Sequence, residues 1–372
     1  MSIKHNPLLS IVIPTRNREK YCIEAIKDIL GYKEDCFELV IQDNSDSEQI
    51  KEYVQDHPDE RFRYYRIEGR LNSVINMRAC LDYAEGEYVC MIGDDDTILP
   101  NIFSITKWAK EKGIKAVCPS NNPAFFWDLD GSLKGKLITQ PSNSGYKWAR
   151  SDNRLEALLK GGIIDYQQYA LPRVYHGLMH RDILNSIKTK TGHVIGGLSP
   201  DIYLAVSSCF YIDKYVIINF PISIQGACVQ STSVGNPRGK FEEMPHLWNR
   251  GEYHWDELIP KYNSSQTIWA ETALKAITEN GKDEEYRSLF DRKYFMTVFW
   301  LENKDRHDEI VSYLGSGKYV DIISKLRYYF KYFKIILKAI WKRVNGGRRE
   351  YQCQESWTGI IAELKNKVIY MS

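Results

Sequence analysis

The sequence predicts an α/β protein: a mixed, mostly parallel sheet flanked by helices, followed by a helical C-terminal region. Two observations predict it. Over the first 120 residues, short β-type runs alternate with helix-period segments, the pattern of βαβ units. Beyond about Gly235 strand patterns vanish and helical periodicity takes over, which divides the chain into residues 1–235 and 236–372. Composition agrees. Of 372 residues, 43% are hydrophobic and 26% charged, which suits a globular core and excludes a disordered chain.

Each element follows from its local pattern. Leu8 to Ile13 is a β-branched apolar run ended by Pro14, hence a buried strand. Glu24 to Leu30 has helical spacing, and Phe37 to Ile41 and Arg61 to Ile67 are the next strands. Val74, Met77, Leu81 and Ala84 recur at three or four, so Val74 to Ala84 reads as a helix ended by Gly86. Tyr88 to Ile92 is a strand, Pro100 opens a helix to about Lys112, and Lys115 to Cys118 is a strand again. Ser120 to Gly145 is rich in Asn, Pro, Gly and Ser and reads as a long loop or lid. Pro172 to Met179 and Val216 to Gln225 read as strands, and Arg181 to Ile187 and Ser199 to Ser207 as helices. The helical remainder comprises Ile268 to Thr278, Glu284 to Leu301 and Val320 to Val344, and no internal repeat is present.

The 50 Lys+Arg against 48 Asp+Glu leave a net charge of +2, so bulk charge gives no reason to expect nucleic acid. The eight cysteines form no C-x-x-C pair, and several, such as Cys90, sit in apolar runs as small hydrophobes. Met1 to Pro7 has no apolar leader segment, and no apolar run reaches the roughly 18 residues of a spanning helix. The expectation is a reduced, cytoplasmic protein.

Ligands of such sheets bind outside the carboxyl ends of the strands. Three polar segments directly follow strands: Pro14, Thr15, Arg16 and Asn17; Asp43 to Ser47; and Gly93 to Asp96. Asp94, Asp95 and Asp96 repel one another and call for a cation, and hard divalent ions such as Mg²⁺ or Mn²⁺ take oxygen ligands shared with phosphates. The same residues also suit an acidic turn leading into a helix.

Four segments in order, Ile13 to Arg18, Val40 to Ser45, Asn76 to Arg78 and Gly86 to Asp96, resemble the family 2 glycosyltransferases. The resemblance is close over residues 8 to 105 and looser to about 235. It implies a GT-A fold, a Rossmann-like domain that binds a nucleotide-sugar donor. It also implies that Pro14, Thr15 and Asn17 line the nucleotide, that Asp43 accepts from the base, usually uracil, and that Asn76 lies near ribose or diphosphate. The family's Asp-X-Asp motif falls on Asp94 to Asp96, with Asp94 facing ribose or metal and Asp96 leading as metal ligand. Three carboxylates in a row leave the register open by one, so Asp95 can take either role, and Gly93 departs from the residues commoner in the family. The implied cofactor is Mn²⁺ or Mg²⁺.

Transfer with inversion needs a carboxylate to take the acceptor hydroxyl's proton. Ser199 reads as N-cap and Pro200 as N1, which places Asp201 in a first helical turn where the dipole favours the ionised base. The segment also resembles the family's Asp-bearing helix start on the acceptor side. His176, His180, His193, His246 and His254 have no spacing that singles out a ligand and stay outside the expected site. Arg16, Arg18 and Arg70 read as solvated charges, with a diphosphate clamp as the alternative for one of them. Phe125, Phe126 and Trp127 either stack on sugar or pack.

Lys325 to Val344 carries seven Lys or Arg and no acid, with Arg327, Lys331, Lys334, Lys338 and Lys342 on one helical face. Such a helix suits an anionic membrane surface. The sequence thus predicts an inverting, metal-dependent transferase that uses a nucleotide-sugar donor, UDP-linked by likeness. Its acceptor is a glycan or lipid-linked glycan at the inner face of the plasma membrane. The competing readings are a nucleotidyltransferase, which the glycine-free segment after Pro14 opposes, and a non-catalytic membrane adaptor.

Overall fold

The structure, a computed structural model, describes residues 7–128, 133–230, 253–314, 319–344, 349–353, 357, 360 and 361. Its centre is β1 (Leu9–Thr15), all seven residues of which are buried. Leu9, Ile11 and Ile13 enter one hydrophobic cluster while Val12 enters another, so alternate side chains feed opposite faces of the sheet. α1 (Glu19–Leu30) returns the chain to β2 (Phe37–Asp43), where Leu39 and Ile41 join the first cluster and Val40 the second. α2 (Gln49–Asp56), β3 (Phe62–Arg66), α3 (Ser73–Asp82) and β4 (Tyr88–Met91) complete a parallel quartet in the order β3-β2-β1-β4. The near-continuous apolar runs seen in the sequence are what a strand covered on both faces requires.

Beyond β4 the chain makes β5 (Thr97–Ile98), α4 (Asn101–Glu111), β6 (Ala116–Pro119), β7 (Ala124–Phe126), β8 (Lys136–Thr139), β9 (Tyr146–Arg150) and α5 (Ser151–Lys160). β10 (Leu178–His180), α6 (Arg181–Thr191), α7 (Pro200–Ser208), β11 (Lys214–Ile218) and β12 (Ser223–Ala227) follow. The main sheet runs β3-β2-β1-β4-β10-β6-β11-β9, with β10 and β9 antiparallel to their neighbours. The expected mixed, mostly parallel sheet flanked by helices is therefore present.

Several local expectations are corrected. The segment 120–145 is not a simple loop: β7 and β8 join β12, β5 and a late strand in a second sheet. Phe125 and Trp127 are 0% and 1% exposed in its core, so neither presents a face to a sugar. Of the segment 172–179 only Leu178 and Met179 are in a strand, which continues to His180, because His176 stands at φ 54 and breaks the extended backbone. The segment 216–225 splits at Pro221, which has no N–H for a ladder, and its halves enter different sheets.

The C-terminal region contains α8 (Ser265–Glu279), α9 (Asp283–Tyr286), α10 (Arg292–Glu302), α11 (His307–Leu314) and α12 (Ile322–Val344). The helix expected over 284–301 is interrupted at Asp291, whose side chain caps α10 by accepting from the Tyr294 N–H at 2.9 Å. Strand structure does not end at Gly235, since β13 (Arg349–Gln352) pairs antiparallel with β8. Ala270, Ala273 and Leu274 of α8 belong to the same apolar cluster as Val12 and Met91. Among the described residues no helix is long and apolar enough to cross a membrane, and no cysteine forms a disulfide.

Candidate functional site at the carboxyl edge of the sheet

The parallel strands β1, β2 and β4 end side by side, and their three polar continuations meet there as the sequence requires. A cavity of about 370 Å³ opens at this edge, lined by Pro14, Thr15, Asn17, Arg18, Asn76 and Asp94 among others. Its floor is tightly bonded. The Thr15 hydroxyl donates to Asp94 Oδ2 at 2.8 Å, and the Asn76 amide donates to the Thr15 carbonyl at 3.1 Å. Asn17 adopts φ 55, a conformation Asn tolerates better than most residues, and its N–H donates to Ser45 Oγ at 2.9 Å.

Two polar atoms on the wall are buried without a hydrogen-bond partner: Asn76 Oδ1 and Asp94 Oδ1. Unsatisfied buried acceptors cost free energy unless a ligand or ion completes them. Asp94 is compensated by charge instead. Arg18 Nη2 lies 2.8 Å from Asp94 Oδ1, and Arg18 Nη1 lies 3.3 Å from Asp95 Oδ2. Arg18 is thus a partly buried counter-ion, not the solvated charge expected. Burial pushes the Asp94 carboxyl up to about 7 against the opposing pull of Arg18, with Asp95 adding to the rise.

Asp96 faces the other way. Its Oδ2 accepts from the Gly93 N–H at 2.6 Å and the Tyr175 hydroxyl at 3.2 Å, and His176 Nε2 lies 3.0 Å away. Its Oδ1 accepts from the Gly226 N–H at 2.7 Å. Burial alone would raise Asp96, but His176 and the two amide donors outweigh it and hold the carboxyl below its ordinary value. With both oxygens committed, Asp96 is a structural carboxylate here, and the leading metal role expected for it does not fit its surroundings. The glycines explain the close packing. A Cβ on Gly93 would meet Asp96 Oδ2 at 2.9 Å, and one on Gly226 would meet the Asp95 carbonyl at 1.6 Å.

The chemistry of the donor set can be tested against a hard dication. Among the described residues no three His, Cys, Asp or Glu side chains converge as a ready ion site. Such ions are, however, held by as few as one or two carboxylates plus substrate phosphates. Asp94 Oδ1 and Asp95 Oδ2, which share Arg18 as their counter-ion, fit that pattern.

Asp43 is fully buried and outside the cavity lining. Its Oδ2 accepts from the Tyr64 hydroxyl at 2.8 Å and from Arg66 at 3.1 Å, and its Oδ1 accepts from the Ser45 N–H at 2.8 Å. Its present bonds brace the β2 and β3 ends.

Asp201 sits where expected, in the first turn of α7 after Ser199 and Pro200. The loop before it is fixed from two sides. Arg78, two residues after Asn76 on α3, donates to the Ile195 carbonyl at 3.1 Å. Thr272 Oγ1 on α8 accepts from the Leu198 and Ser199 N–H groups at 3.0 and 3.2 Å. Burial raises the Asp201 carboxyl above its ordinary value, opposed by His176, Arg173 and a hydrogen bond from the Tyr166 hydroxyl. Asp201 does not line the Asp94 cavity. His176 acts electrostatically on both Asp201 and Asp96.

His176 is the functional residue that sequence reasoning omitted. It is 2% exposed, holds φ 54, and its Nδ1 lies 2.9 Å from Ser223 Oγ. The sequence reads 172–179 as one strand and gives His176 no ligand-like spacing, so no local signal marked its place.

The chain is similar to several known proteins. The family profile described as Glycosyl transferase family 2 matches residues 10–126. A putative colanic acid biosynthesis glycosyl transferase, WcaA, of Escherichia coli (strain K12) is 32% identical over 149 residues, 38% of this chain and 49% of that protein. A GalNAc(5)-diNAcBac-PP-undecaprenol beta-1,3-glucosyltransferase of Campylobacter jejuni is 32% identical over 101 residues, 26% of this chain and 33% of that protein. The chain thus spans about half and a third of the length of these curated relatives. A crystal structure of S. aureus TarS 1-349 in complex with UDP-GlcNAc superposes with a TM-score of 0.47 at 14% identity, over 81% of this chain and 75% of that one.

Proposed function

We propose that this chain, whose residues 10–126 belong to glycosyl transferase family 2, moves a sugar from a nucleotide-sugar donor to a hydroxyl of a lipid-linked glycan, with inversion. The observation that carries the proposal is the Asp94 cavity. It lies at the carboxyl edge of a parallel sheet, is walled by Thr15, Asn17 and Asn76, and holds two buried acceptor atoms, Asn76 Oδ1 without a hydrogen-bond partner and Asp94 Oδ1 facing the Arg18 guanidinium.

In this reading the nucleotide lies along Pro14 to Asn17 and Asn76, with its diphosphate toward Arg18 and Asp94. Asp94 and Asp95 would hold Mn²⁺ or Mg²⁺, which would supply charge neutralisation for the departing diphosphate. Arg18 is the chain's own cation at the same place. Asp201 accepts the proton of the acceptor hydroxyl as the new bond to the anomeric carbon forms, and the bond to the diphosphate breaks with its electron pair leaving on the nucleotide. His176 and Tyr166 hold the Asp201 carboxylate in place. The reaction needs no other co-reactant.

The acceptor assignment draws on α12. The helix is seated through Ser324 and Tyr328, and its Arg327 guanidinium lies 4.1 Å from the centre of the Tyr294 ring and 2.7 Å from Asp291. The opposite face carries Leu326, Phe330, Phe333 and Leu337, which are 49–66% exposed, with Lys325 and Lys334 at its flanks. An apolar face bordered by cations suits the headgroup layer of an anionic bilayer. The basic stripe expected to make that contact partly serves the protein, since Arg327 is engaged with α10.

The test is transfer of labelled sugar from UDP-linked donors into a lipid fraction carrying undecaprenyl-diphosphate glycans. Wild-type protein is expected to label it and Asp201→Asn is not. Equal labelling by the two proteins would remove Asp201 as the base.

A further inference from the structure

A second concave surface lies between α8, α10 and α12. It encloses about 520 Å³, within the range of small-molecule sites. Its walls are aromatic: Trp269 from α8 and Tyr328 and Tyr332 from α12. Its polar groups are few and convergent. Glu302 accepts from the Tyr332 hydroxyl at 3.1 Å and from the Gln266 amide, and the half-buried Lys331 lies in the field of Asp165 and Glu302.

This combination selects a class of ligand. Flat rings offer stacking to the apolar C–H face of a pyranose, and carboxylate, amide and ammonium groups match its hydroxyls. Two carboxylates against one ammonium disfavour a phosphate or diphosphate, which would meet net negative charge. A neutral sugar fits.

The groove also reaches the base. The Trp269 ring packs edge-on against Tyr166 with centroids 5.1 Å apart, and the Tyr166 hydroxyl bonds to Asp201. Trp269 and Tyr166 therefore link the groove to the carboxylate that takes the acceptor's proton, while its outer wall is the helix with the exposed apolar face. We propose that this groove is an acceptor subsite that holds a neutral pyranose unit of the glycan; the assignment rests on the transferase reading given above.

Saturation-transfer NMR with neutral methyl glycosides and disaccharides (gluco, galacto and their N-acetyl forms) tests it on the full chain. At least one member of the panel is expected to receive saturation, with its Kd weakened about tenfold by Trp269→Ala, equivalent to loss of one good stacking contact. Trp269 also supports Tyr166, so Asp165→Asn is the second variant. Asp165 stands at φ 54, which Asn tolerates, and the exchange removes a charged acceptor without a change of shape. It is expected to weaken the same sugar several-fold. No saturation transfer to any sugar, or unchanged affinity in Asp165→Asn, overturns the subsite. Binding of UDP by the wild-type chain is read separately as a thermal upshift. UDP binding without sugar binding overturns the groove alone, and sugar binding without UDP binding overturns its role as an acceptor site.

Discussion

Arg18 and Asp94 form an ion pair at 2.8 Å at the carboxyl edge of the sheet, where the Asp94 side chain has no exposure to solvent. Removing one member of such a pair leaves a buried charge uncompensated. Arg18→Ala is therefore expected to lower stability by about 3 kcal/mol. Mn²⁺ is expected to recover part of that loss, because Asp94 and Asp95 are left without their counter-ion. Thermal melts of the variant with and without Mn²⁺ check both parts; a melting temperature equal to wild type would show that the pair contributes nothing.

The raised pKa of Asp201 fixes the sign of a pH effect. A general base works only when deprotonated, so activity falls as pH drops through its pKa. Burial sets that pKa above the ordinary carboxylate value. The acidic limb of a kcat/KM profile is expected above the usual carboxylate range, and Asp201→Asn is expected to lose on the order of 10²–10⁴ in rate. A limb at or below the ordinary range would contradict the base assignment.

Glu271 offers a prediction about stability alone. It is 0% exposed on α8, accepts from the Tyr253 hydroxyl at 2.6 Å, and burial pushes its carboxyl up to about 7. A folded-state pKa above the unfolded one means that stability is full below the unfolded value, near 4.5, and falls as pH rises toward 7. Glu271→Gln keeps the acceptor and removes the charge. It is expected to be more stable than wild type by on the order of 2 kcal/mol at pH 8, and little different near pH 4. Denaturant unfolding at the two pH values reads this directly.

The outer face of α12 predicts vesicle binding. Wild-type protein is expected to sediment with vesicles containing anionic lipid, less so as salt rises, because salt screens the Lys325 and Lys334 flanks. Leu326→Glu with Phe333→Glu is expected to abolish sedimentation while leaving the seated face intact. Retention of binding by the double variant would place the contact elsewhere.

The parallel strands β1, β2 and β4 were legible because they are buried on both faces and read as largely apolar runs, whereas the mostly exposed edge strand β9 was not anticipated. β7, β8 and β13 were not, since each has three or four residues and β13 finds its partner across two hundred positions of sequence. The site divides the same way. Thr15, Asn76 and Asp94 follow from strand ends and a helix that the sequence displays, and the structure brings all three to one cavity. Arg18 and His176 were missed because their partners lie far away in sequence and neither sits in a recognisable spacing. Asp43 was legible as a strand-end acid, yet its engagement depends on sheet register, which sets Arg66 of β3 opposite it. Phe125 and Trp127 looked like loop aromatics, because the second sheet that buries them has no local signature.

Nucleotide-sugar binding to the wild-type chain and to Asp94→Asn, read calorimetrically with and without Mn²⁺, tests the donor site most directly. Asn in place of Asp94 can still accept from Thr15 but carries no charge for a cation or for Arg18. A UDP-linked sugar is expected to bind wild type, more tightly with Mn²⁺, and to bind Asp94→Asn at least tenfold more weakly, about 1.4 kcal/mol. Absence of binding by every nucleotide sugar, or equal affinity in the two proteins, would contradict a donor site at Asp94.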